Sequence, residues 1–117
     1  MASAETNACA YCASAHSIIG KSAGLSDDEI TAARRGSSND AKTDAALKFA
    51  RSIIINRGAV SDEEVQAIKA AGYSEAEIAE IIAHVALNAF TNYFNKIAET
   101  EIDFPKVEFP LTSAVNA

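Results

Sequence analysis

The sequence is short of the features that mark several large protein classes. No apolar run approaches the roughly 20 residues that span a bilayer. Met1 to Asn7 has neither a basic start nor an apolar stretch, so no signal peptide is expected and the cytoplasm is the expected location. Basic residues are few, 10 against 16 acidic ones, and Arg34-Arg35 is the only adjacent basic pair. With a net charge of −6 and a pI of about 4.8, the chain lacks the basic stripe of a nucleic-acid binder. Nucleic acid and anionic membranes are therefore discounted as partners. No segment reads convincingly as a strand. Proline occurs only at Pro105 and Pro110, where it forbids helix continuation near the C-terminus. Cysteine occurs only twice, three positions apart, which excludes a multi-disulfide scaffold. A structural disulfide would usually close a longer loop, whereas C-x-x-C in a reducing compartment indicates redox or metal chemistry.

What is present is helical. The 117 residues fit one domain, spanning 1–117, with an apolar fraction of 49%. Much of that fraction is alanine, which packs closely but supplies little apolar area, so the core is expected to be completed against a second copy. Three capping boxes, Ser26 to Glu29, Ser61 to Glu64 and Ser74 to Glu77, mark helix starts. Each follows a glycine, Gly24, Gly58 or Gly72, that suits the end of the preceding helix. Helices are predicted over 9–22, 27–35, 40–57, 62–71 and 75–99: an all-α domain of about five helices. An N-terminal lead covers about 1–8, and an extended C-terminal arm covers about 102–117. The last helix carries Ile78, Ile81, Ile82, Val85, Phe90, Phe94 and Ile97 on more than one stripe, as expected of a helix buried centrally or shared between subunits. Residues 21–30 and 69–78 share six identities in ten. This echo reads as convergent capping chemistry, although the matches Lys21/Lys69 and Ala23/Ala71 are not required by capping.

The chemistry lies in Cys9-Ala10-Tyr11-Cys12-Ala13-Ser14-Ala15-His16, a C-x2-C-x3-H pattern. Positions three and four apart are neighbours on a helix, so Cys9, Cys12 and His16 converge on one face. A thiolate is stabilised at a helix N-terminus and beside an imidazole, and His16 can take the proton from Cys12. Peroxide would oxidise the thiolate to a sulfenic acid, the second cysteine would condense with it, and an external dithiol would reduce the disulfide. Two other readings compete. Cys, Cys and His are all zinc ligands, but a structural site wants four, and His84 is the only other obvious one. An inert core pair leaves His16 on the same face unexplained. Redox chemistry is favoured, with no bound cofactor or metal.

C-x2-C-x3-H at the head of a helix, followed by Ala23-Gly24-Leu25-Ser26-x-x-Glu29-Ile30, resembles the AhpD-like alkylhydroperoxidases of the carboxymuconolactone decarboxylase superfamily. The resemblance continues through Lys48 to Arg51, Arg57 to Ser61 and Ala70 to Ser74. It ends in Ala83 to Asn95, which looks like the peroxidase-related branch. It implies an all-helical fold that assembles as trimers or hexamers. It also implies peroxide reduction in which Cys12 is attacked, Cys9 resolves, and His16 relays a proton. The family's relay glutamate would lie upstream of the first residue here, and Glu5 is no match for it.

On the last helix, His84, Asn88, Thr91, Asn92 and Asn95 form one polar stripe. The plain expectation is a hydrogen-bonded seam between helices or subunits. The functional expectation is that His84 and Asn88, with Tyr11, line the thiol pocket. Lys48 and Arg51 are expected on a solvated face.

Overall fold

A computed structural model describes residues 1–111; the part of the expected arm over 112–117 lies outside the described residues. Among the described residues the fold is all-helical: α1 (Ala2–Thr6), α2 (Ala10–Ser22), α3 (Asp27–Arg35), α4 (Ala41–Ile55), α5 (Asp62–Ala70) and α6 (Glu75–Ile97). The three capping boxes form as read, with Ser26, Ser61 and Ser74 each accepting from the glutamate N–H three residues on. Asp40 caps α4 through Thr43 N.

Within the expected lead over 1–8 lies a sixth helix, α1. Met1 gives α1 no side-chain cap, and the five residues hold together through burial of Ala2 and Ala4. α1 touches α2, α3, α4 and α6, so this short element sits at the centre of the bundle. It ends on Ala8 in the left-handed conformation, φ 55, where Cys9 N donates to Ala4 O at 2.8 Å. Alanine there costs about 1 kcal/mol relative to glycine.

The repeated segments build the same turn twice. Gly24 and Gly72 have φ 98 and 96, and each lies between a helix and a serine cap. Lys21 Nζ meets Asp27 at 2.8 Å and Lys69 Nζ meets Glu75 at 3.4 Å, so each lysine closes its turn on the next helix. That contact accounts for the lysine match, which capping did not require.

From Glu101 the chain runs without helix, as expected from its prolines, but it lies back on its own domain. Phe104 stacks edge-on against Tyr11, and Val107 and Phe109 pack on a buried cluster of Ala4, Cys9, Cys12 and Ala13. Arg34 ties this arm down: its guanidinium holds Glu5 Oε2 at 2.9–3.0 Å and donates to Glu108 O at 2.6 Å. Leu111 N donates to Glu5 Oε1 at 2.6 Å. No helix is long and apolar enough to cross a membrane among the described residues.

Candidate functional site: a disulfide at the head of α2

The left-handed Ala8 turns the chain so that Cys9 becomes the N-cap of α2. Its Sγ accepts the Cys12 N–H at 3.2 Å. Cys9 and Cys12 are joined in a disulfide. Both are almost fully buried. Both belong to the apolar cluster with Ala4 and Ala13, on which Val107 and Phe109 of the arm pack. Cys12 forms part of the wall of a cleft of about 380 Å³.

That cleft brings together nearly every residue the sequence nominated. Tyr11, Cys12 and His16 from α2 face His84, Asn88, Thr91 and Asn95 from α6. Cys9 does not line it. His16 is half-buried, and its pKa is lowered from the ordinary value, first by burial and then by the positive N-terminal amine. It is therefore a neutral imidazole at neutral pH, the form able to accept a thiol proton. The same depression has a sign for stability. As pH falls, the unfolded chain protonates His16 first. Its contribution is complete above the ordinary value and is lost between that value and the lower folded one.

The polar stripe of α6 divides. His84 is largely exposed and 3.7 Å from Glu80, and Asn88 Nδ2 returns to His84 O at 2.8 Å. These residues sit on the cleft wall. Asn92 turns the other way, fully buried, and accepts from Asn7 Nδ2 at 3.0 Å, as the seam reading expected. Lys96 adds a bond to Asn7 O at 3.0 Å, so α6 grips the turn that presents Cys9. Asn95 Nδ2 lies 3.6 Å from Cys12 Sγ. The sequence reading put Asn95 in the stripe but not in the site; its spacing from His84 was the available signal.

Lys48 is exposed and pairs with Asp44 at 2.6 Å, as expected of a solvated face. Arg51 is exposed too, and reaches over Gly36 to donate to Arg35 O at 2.8 Å. A larger cleft of about 610 Å³ opens beside Glu5, Arg34, Arg35 and Arg51. It holds no thiol or histidine, so the smaller cleft is the one that can do sulfur chemistry. Among the described residues no three His, Cys, Asp or Glu side chains cluster as a metal-ion site.

Fold and site together define an all-helical domain with a C-x-x-C disulfide at a helix N-terminus, one sulfur of which borders a histidine-bearing cleft. Comparison with protein-family models, curated proteins and solved structures finds no match for this chain.

Proposed function

We propose that the chain is a thiol-dependent peroxidase of the AhpD-like kind, reducing hydroperoxides through Cys12 and Cys9. The single observation that carries this reading is the placement of disulfide-linked Cys12 on the wall of a cleft that also holds His16. In the reduced protein, neutral His16 takes the Cys12 proton. The thiolate attacks the peroxide, the O–O bond breaks, and Cys12 becomes a sulfenic acid as the alcohol leaves with the proton. The Cys9 thiolate then attacks that sulfur, the disulfide forms, and water departs. An external dithiol attacks Cys12 from the cleft. Cys9 leaves as a thiolate, stabilised by the Cys12 N–H at the helix head. The second thiol of the reductant then releases Cys12 and carries away the disulfide. A cycle that is reduced at every turn belongs in the cytoplasm.

Steady-state peroxide consumption by the full chain with a dithiol reductant tests this. The expected result is turnover that depends on both reagents. A disulfide that forms and is reduced without consuming peroxide catalytically would instead make the chain a redox-sensing module.

His16→Ala is expected to slow peroxide reaction at neutral pH by about tenfold to a hundredfold, less than for an alcohol nucleophile because a thiol partly ionises unaided. At alkaline pH most of the deficit should vanish. Rates measured across pH check this, and a ratio that stays constant would contradict the general-base role.

The same reading includes self-association. On α6, Leu87, Phe90, Phe94 and Ile97 follow alternating steps of three and four and are each more than half exposed. Exposed apolar faces of this breadth are uncommon on monomers. A second copy is the proposed occupant, giving a trimer or a multiple of it. Light scattering should return an oligomeric mass at micromolar concentration, and Phe90→Glu with Phe94→Glu should reduce it. A monomeric wild-type mass would contradict the assembly.

A further inference from the structure

We infer that Asn95 is a catalytic residue of this site: its side-chain amide holds Cys12 as the thiolate. The inference rests on the redox reading above and adds a group that the C-x2-C-x3-H pattern does not contain.

The amide orientation is fixed by its surroundings. Asn95 Nδ2 lies 2.9 Å from Thr91 O and 3.6 Å from Cys12 Sγ. A backbone carbonyl only accepts, so the end of the amide facing Thr91 must be the NH2. That group carries two hydrogens. One is used by Thr91 O, and the other is available to the sulfur. The anchor is on the same helix, one turn back, so the donor keeps its aim in both redox states of Cys12.

The contact favours one charge state. A thiol or disulfide sulfur accepts weakly, whereas a thiolate accepts strongly. A hydrogen bond that strengthens on ionisation lowers the thiol pKa. The helix-head N–H nearest the pair, that of Cys12, is directed to Cys9 Sγ, so it favours Cys9 rather than Cys12. Asn95 supplies Cys12 with a donor of its own. Roles then divide between two helices: His16 on α2 removes the proton, and Asn95 on α6 stabilises the charge left behind. The other titratable groups on the cleft wall are Tyr11 and His84.

The test uses the full chain, reduced, with Cys9→Ser, so that Cys12 is the only thiol. Serine is itself a strong N-cap, which preserves the head of α2. Thiolate absorbance and alkylation rate are followed across pH for this protein and for its Asn95→Leu and Asn95→Asp forms. Asn95→Leu should raise the Cys12 pKa by about one, tenfold less thiolate below that pKa. Asn95→Asp keeps the shape but turns a carboxylate on the sulfur, and should raise it further. Far-UV circular dichroism establishes which variants fold, and the near-isosteric aspartate form serves where leucine does not. An unchanged Cys12 titration in either folded variant overturns the inference. Wild-type disulfide cycling is measured alongside. Normal cycling with no Asn95 effect defeats this inference alone, whereas an Asn95 effect without any cycling defeats the redox reading alone.

Discussion

Cys12→Ser is expected to abolish peroxide consumption, whereas Cys9→Ser should preserve the first chemical step and lose only the cycle. The asymmetry follows from where the two sulfurs lie. Both sulfurs belong to one buried cluster, but Cys12 also lines the cleft with His16 and Cys9 does not. A hydroxyl at position 12 has no thiolate to offer near neutral pH, so the peroxide meets no nucleophile. A hydroxyl at position 9 leaves that nucleophile in place but cannot close the disulfide. The measurement is peroxide loss under multiple-turnover and single-turnover conditions. Cys9→Ser should consume peroxide about stoichiometrically with Cys12 and then stop. If Cys12→Ser kept the single-turnover reaction and Cys9→Ser lost it, the assignment of the two cysteines would be reversed.

Arg34→Ala is expected to destabilise the fold by about 3 kcal/mol, at the lower end of what removal of one partner from a buried ion pair costs. The Arg34 side chain is only 5% exposed and that of Glu5 15%, so the carboxylate left behind would be poorly solvated. The Leu111 N–H still donates to it, which places the effect at the lower end. Arg34 also holds Glu108 O, so its loss removes a bond between α3 and the arm as well. Urea unfolding followed by far-UV circular dichroism measures this; the sequence contains no tryptophan to report by fluorescence. Arg34→Met combined with Glu5→Leu should recover part of the loss, because an apolar pair leaves no buried charge unpaired. A loss below about 1 kcal/mol for Arg34→Ala would place this pair among weak surface bridges.

The bond pattern around Glu5 also shows what became of the nearest upstream carboxylate. One oxygen is held by Arg34 and the other by Leu111 N. Its structural duty is to fasten the arm.

Local chemistry was legible in the sequence, and relations between distant elements were less so. Ser26, Ser61 and Ser74 announced their helices because a capping box is complete within four residues. α1 gave no such signal. Its stop is Ala8 rather than glycine, Met1 offers no cap, and five residues are too few to show a period. Burial of Ala2 and Ala4 holds it, and burial is a tertiary property. Cys12 and His16 were legible as neighbours because one helical turn separates them. The stripe on α6 was legible as a stripe, but the sequence does not set the rotation of α6 against α2. That rotation sends Asn92 to Asn7 and Asn95 to Cys12. Over 102–111 the arm is non-helical, as read. Its docking on Cys9 and Tyr11 was not foreseen, since an extended segment with two prolines carries no periodicity to say which side is buried.

The most direct measurement is the identity of the first sulfur oxidised. Reduced wild-type chain and its Cys9→Ser and Cys12→Ser forms are mixed with a stoichiometric amount of hydroperoxide, quenched with a sulfenic-acid trap and mapped by mass spectrometry. The account predicts a trapped sulfenic acid on Cys12 in Cys9→Ser, none in Cys12→Ser, and the Cys9–Cys12 disulfide in wild type. Thiols left unreacted in all three, or a sulfenic acid on Cys9 in Cys12→Ser with none on Cys12 in Cys9→Ser, would contradict it.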